Sequence, residues 1–95
     1  MKVSSINAGE ASTIALNLIA YIASGEEQLE RFLSLSGISL GDLQSGAANP
    51  EFQGFVLDYA LQDETLVIEF SSFAGLKPES LQRARFALPG ATYDT

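Results

Sequence analysis

Chemistry in this chain would have to come from carboxylates. Twelve Asp and Glu residues stand against five Lys and Arg, and the 95 residues include no His and no Cys. Without histidine the commonest general base and metal ligand are missing. Without cysteine, thiol catalysis, thiolate metal sites and disulfides are excluded. A serine nucleophile would have no imidazole to activate it, and neither Lys2 nor Lys77 sits beside a suitable serine or behind a glycine-rich phosphate turn. Acid pairs remain. Glu26 and Glu30 are four apart on one helical face, as are Glu27 and Arg31, and Asp63 adjoins Glu64. Such a pair could hold a magnesium ion or move a proton. The same acids also fit the first turns of helices, where a negative charge complements the positive end of the dipole. That reading assigns no catalytic, metal or cofactor-binding residue. A small carboxylate- or metal-dependent enzyme is the alternative.

Lys77, Arg83 and Arg85 gather three of the five basic residues near the C-terminus. They would make a small patch for an acidic group, or they complement the negative end of a last helix and bond its free carbonyls. The net charge of −7 repels phosphate backbones and excludes nucleic acid as a partner, while it suits a basic protein.

The elements that position these side chains read as six short helices. The first, from about Glu10 to Ser24, is apolar almost all round: Ile14, Ala15, Leu16, Leu18, Ile19, Ala20, Tyr21, Ile22 and Ala23. A helix without a polar face belongs at the centre of a bundle. Ser24-Gly25-Glu26-Glu27 reads as a capping box for a second helix, with Leu29, Phe32, Leu33 and Ser36 on one stripe and Gly37-Ile38 at its end. Ser39 opens a short third helix through Leu43 to Ala47, and Asn49-Pro50-Glu51 is a strong start for a fourth. The fourth carries Phe52, Phe55, Val56, Tyr59 and Ala60 at helical spacing. Asp63 caps a fifth, in which Leu66, Val67, Phe70, Phe73 and Ala74 point inward before Gly75-Leu76. Thr65 to Phe70 has strand propensity, yet no partner strand exists to pair its backbone, so it is read as helix. Pro78 begins the sixth, with Leu81, Ala84 and Leu88 inward, and Pro89-Gly90 stops it. Phe86 lies off that stripe, either reaching sideways into the core or exposed.

The second half repeats the first. An offset of 38 residues lays Tyr21 on Tyr59, Glu26 on Glu64, Phe32 on Phe70, Ser34 on Ser72, Gly37 on Gly75, Leu43 on Leu81 and Gln44 on Gln82. The matches fall on caps and apolar stripes, so they describe either a duplicated unit (9–47 and 48–88) or the features any helical bundle shares.

Leu29-Glu30-Arg31-Phe32-Leu33-Ser34-Leu35-Ser36-Gly37-Ile38, with Asn49-Pro50-Glu51-Phe52, Asp58 to Glu64, Ala74-Gly75-Leu76 and Pro78-Glu79, resembles an uncharacterised family of small acidic alphaproteobacterial proteins, a domain of unknown function. The resemblance spans roughly residues 12–90. It implies a helical cytoplasmic protein with a regulatory protein as a conceivable partner, and it brings no catalytic residues.

The expectation is one all-α domain over 9–90, a compact bundle of five to six short helices, with a flexible segment over 1–8 and a disordered tail over 91–95. A chain of this length buries about two-thirds of its unfolded surface, enough for a core without staples. The apolar run Ile14 to Ala23 behind Lys2 loosely resembles a secretory leader, but Glu10 and Asn17 interrupt that pattern. The run is also short of the roughly 20 residues a membrane span needs, so no membrane association is expected. The function expected is a non-enzymatic, cytoplasmic protein-interaction module, adaptor or regulatory, acting as monomer or homodimer. Its contacts would be drawn from Leu16, Tyr21 and Ile22 on the first helix and from Lys77, Arg83 and Arg85. No cofactor is expected.

Overall fold

Helix caps written into the sequence divide the chain. In the computed structural model, which describes residues 6–89, six helices follow one another: α1 (Ala8–Ser24), α2 (Glu26–Ser36), α3 (Leu40–Gly46), α4 (Pro50–Leu61), α5 (Glu64–Ala74) and α6 (Glu79–Phe86). No strand occurs among the described residues, and Thr65 to Phe70 is helical within α5. The tail over 91–95 and the first five residues lie outside the described residues.

Three of the starts are those read from the sequence. The Ser39 hydroxyl accepts from the Asp42 amide at 3.1 Å, the Asn49 side chain accepts from the Glu51 and Phe52 amides at 2.8 and 3.2 Å, and Asp63 accepts from Leu66 at 3.2 Å. The box at Ser24 does not form. Because α1 runs on through Ser24, its hydroxyl is taken up by the Tyr21 carbonyl at 2.9 Å, and Gly25 caps α2 with backbone alone. The reciprocal box lies at the other end of α1, earlier than expected. Asn7 accepts from the Glu10 amide at 2.7 Å, and the Asn7 amide donates to the Glu10 carboxylate at 3.2 Å.

α2 and α5 both close on a left-handed glycine, Gly37 at φ 75 and Gly75 at φ 73. The Gly37 amide donates back to the Leu33 carbonyl at 3.0 Å; after α5 the Leu76 amide donates to Ser71 at 2.8 Å. Both turns send the chain away from its helix, with Ile38 and Leu76 packed against the core.

α1 is the central element and packs against α2, α4, α5 and α6. It buries Ala11, Ile14, Ala15, Leu18, Ile19 and Ile22. Phe32, Leu43, Val56, Leu57, Ala60, Leu66, Phe70, Leu81 and Ala84 complete the core. The expectation for α4 requires correction. Val56 and Ala60 are buried, but Gln53, Gly54 and Leu57 join them, whereas Phe55 is 42% exposed. The reason is that α4 is covered from two sides, by α1 and by α6. The close approach of α6 needs Gly54: a Cβ there would lie 2.9 Å from an Arg85 guanidinium nitrogen and 3.2 Å from the Pro89 carbonyl oxygen.

The 38-residue offset carries into the architecture, since it converts the bounds of α2 into those of α5. Equivalent positions share their burial: Leu18 with Val56, Ile19 with Leu57, Ile22 with Ala60, Phe32 with Phe70, and Leu43 with Leu81. The halves also exchange aromatic contacts. Tyr21 of the first half meets Phe70 of the second edge-on at 5.5 Å, and Tyr59 of the second meets Phe32 of the first edge-on at 4.8 Å. If residue i touches j, the equivalent of i touches the equivalent of j, as across an isologous dimer interface.

Two outcomes follow. Nothing lies within 4 Å of a Cβ built on Gly37 or Gly75, so Gly37→Ala and Gly75→Ala report the backbone alone, and each should cost about 1 kcal/mol in a urea titration. Leu18→Asp places an unpaired carboxylate at a fully buried position of α1 and should abolish the cooperative unfolding transition followed by circular dichroism.

Candidate functional site

The carboxylates singled out by spacing lie mostly at helix starts, except Glu30, which is exposed in the middle of α2. Glu26 and Glu27 lie in the first turn of α2 and Glu64 in the first turn of α5. Asp63 caps α5 and also accepts from the Arg31 guanidinium at 3.3 Å, a link between α2 and α5 that takes the place of a Glu27–Arg31 pair. Among the described residues, no three acidic side chains converge as metal ligands would.

The basic cluster is separated by helix geometry. Side chains two apart on a helix point to opposite sides, so Arg83 and Arg85 cannot share a face. Lys77 and Arg83 are exposed, and Arg83 borders a depression of about 220 Å³ with Ile6, Phe86 and Ala87. Arg85 is a correction. At 8% exposure it turns into the bundle, where Nε donates to Asp58 at 2.7 Å and Nη1 donates to the Pro89 carbonyl at 3.2 Å. It ties the end of α6 to α4 and is not available to a partner.

The three α1 candidates also divide. Leu16 is 41% exposed and Tyr21 is half-buried, but Ile22 is 1% exposed and belongs to the core, because its face of α1 is the one the other helices cover. The uncovered face of α1 carries Leu16, Asn17, Ala20 and Ala23. Here Asn17, Ala20, Tyr21 and Ser24 form one wall of a groove of about 440 Å³, and Phe73 and Ala74 of α5 form the other. The Tyr21 ring lies between Phe70 on its core side and Phe73 on its outer side, 5.0 Å from the latter. Phe73 is 72% exposed, against the expectation that it points inward. The repeat contained the signal. Phe73 is the counterpart of Leu35, which falls off the inward stripe of α2, and the two are exposed to nearly the same degree.

Buried polar atoms without a protein partner are the other departure from an ordinary core. Among the described residues, the Tyr59 hydroxyl, the Ser71 hydroxyl and the side-chain carbonyls of Gln28 and Gln53 find none, although the Gln53 amide donates to the Ala47 carbonyl at 2.8 Å. Burial lifts the Tyr59 phenol above its ordinary value; the Arg31 guanidinium opposes this and the Asp63 carboxylate adds to it. The fold therefore prefers the neutral phenol. Stability linked to Tyr59 is level below pH about 10 and falls above it, where the unfolded chain releases its proton first. Tyr59→Phe keeps the ring on Phe32 and removes the orphaned hydroxyl. Its urea midpoint should match or exceed the parent by up to about 1 kcal/mol at neutral pH, and its alkaline loss should be smaller. A lower midpoint would show that the hydroxyl has a bonded role.

No helix of the described residues is long and apolar enough to cross a membrane. No curated protein and no solved structure matches the chain. The family model described as "Protein of unknown function (DUF3572)" matches residues 8–91, which begins at the first residue of α1 and runs past the end of α6. The whole six-helix bundle, with its exposed α1–α5 groove, is thus the unit of likeness, and the chain belongs to the DUF3572 family of proteins of unknown function.

Proposed function

We propose that this protein is a non-enzymatic interaction module, an adaptor or regulator that binds another protein in the bacterial cytoplasm. The observation that carries this reading is the exposure of Phe73 beside the open face of α1. A large aromatic ring on the rim of an apolar groove loses its hydration cost only when something covers it. Leu16 extends the apolar surface along α1. Many of the charged groups have structural employment: Glu26, Glu27 and Glu64 serve first turns, Asp63 and Arg31 join α2 to α5, and Arg85 holds α6 on α4. The family resemblance, which implies an alphaproteobacterial host, makes a regulatory protein the partner to look for.

Affinity capture of the tagged full chain from its native host, with sedimentation equilibrium of the purified protein, tests the reading. A single protein retained in stoichiometric amount and lost on Phe73→Ser is expected. A chain that retains nothing and sediments as a monomer at every concentration would overturn it.

A further inference from the structure

The 38-residue offset makes α3 the counterpart of α6, and the two helices are held very differently. Leu43 and Leu81 are equivalent positions and are equally buried, at 1% and 0% exposure. Around Leu81, α6 also buries Ala84 and Arg85, lies against both α1 and α4, and is tied to Asp58 by the Arg85 guanidinium. Leu43 is the one buried residue of α3, and among the described residues α3 makes no extended pairing with any other helix. Its other attachments lie at its C-terminal end. The Phe52 ring rests against Gly46, so closely that a Cβ there would lie 2.8 Å from it. Ala47 is half-buried against the core, and its carbonyl accepts from the Gln53 amide at 2.8 Å.

Local structure adds little to these attachments. A helix of seven residues does not persist in water without packing, and two of the seven, Gly41 and Gly46, are poor helix formers. The start is capped by one exposed side chain, the Ser39 hydroxyl. Closure also holds Gln53 at 0% exposure with its side-chain carbonyl unpartnered among the described residues, a cost that lessens when Ala47 moves away and water reaches the amide. The two ends of the segment are fixed: Ile38 packs on the core, and Asn49 caps α4.

We infer that residues 39–48, α3 with its flanking turns, form a strap that opens and recloses between these fixed ends while the other five helices stay folded. Opening gives up the burial of Leu43 and part of Ala47, far less apolar surface than global unfolding exposes. It uncovers the core seat of Leu43 and the side of the Phe52 ring that rests on Gly46, apolar surfaces that the closed protein hides. α6 does not open in this way, because two helices and the Arg85–Asp58 pair hold it.

Amide hydrogen exchange of the full 15N-labelled chain, followed by NMR in urea concentrations below the unfolding transition, reads the opening. The Leu43 amide, bonded to the Ser39 carbonyl at 3.0 Å, reports the strap, and the Leu81 amide, bonded to the Pro78 carbonyl at 3.2 Å, reports its counterpart. The Leu18 and Ile19 amides within α1 report the whole bundle. The opening constant at Leu43 is expected to exceed those at Leu18 and Leu81 by about tenfold or more, and to change little with urea because little surface is exposed. Two variants separate the strap from global unfolding. A Cβ at Gly41 would meet only the Ser39 hydroxyl, at 3.8 Å, so Gly41→Ala strengthens α3 and should slow exchange at Leu43 about two- to threefold. Gly75→Ala weakens α5, which remains folded when the strap opens. It should quicken exchange at Leu18 about fivefold and leave Leu43 unchanged. Exchange at Leu43 that follows Leu18 in its urea dependence overturns the inference, as does an equal opening constant at Leu81 or a response of Leu43 to Gly75→Ala. An unprotected Leu43 amide overturns it too, since the strap would then never close. The urea series on the parent chain decides the matter if either variant fails to fold.

Discussion

Neither three-helix half of this chain covers its own central phenylalanine, and the exchange of tyrosine rings between the halves is the contact from which the rest of the structure follows. Phe32 is sealed by Tyr59 and Phe70 by Tyr21, each from the opposite half. Burying a phenylalanine contributes about 1.5–3 kcal/mol, and an edge-on aromatic pair about 0.5–1.5 kcal/mol beyond that. Those amounts are a large share of the net stability of a small domain. The exchange also fixes geometry. With each tyrosine reaching across, α1 and α4 lie against each other, the most extensive helix pairing in the bundle.

The exposed surfaces are a consequence. α1 and α4 each use one face on the other and a second on a flanking helix, which leaves a furrow along each flank. What covers the remaining face differs between the halves. α6 lies over α4, where Gly54 allows contact and Arg85 fastens it to Asp58. The equivalent of Gly54 is Leu16, and the equivalent of Arg85 is Ala47, so α3 has neither the clearance nor the anchor to lie over α1 in the same way. α6 instead serves both central helices.

Charge plays a supporting part. Most of the described acids occupy helix starts, where they stabilise the positive dipole end, while Glu30, Asp58 and Glu69 lie within helices. A net charge of −7 opposes contact between copies of the chain and suits a surface of opposite sign. Charge of that kind governs the rate of an encounter and its salt dependence more than its lifetime.

The sequence by itself determined what depends on residues a few positions apart. The stops at Gly37 and Gly75, the caps at Ser39, Asn49 and Asp63 and the all-helical class were all legible, because a cap or a left-handed turn is decided by backbone strain and one local hydrogen bond. The cap at Ser24 was misread because it depends on whether α1 has already ended, and packing at the centre of the bundle carries α1 through that residue. Which face of each helix is covered was decided only by the tertiary structure. Phe55 and Phe73 fit an apolar stripe as well as their buried neighbours do, yet both stand at the edge of what the neighbouring helices reach. Arg85 looked like a surface charge and became a buried fastening because α6 found a glycine to lie on. Helical periodicity defines a stripe of apolar residues; the boundary of that stripe is set by the width of the neighbour, and the neighbour is known only when the chain has folded.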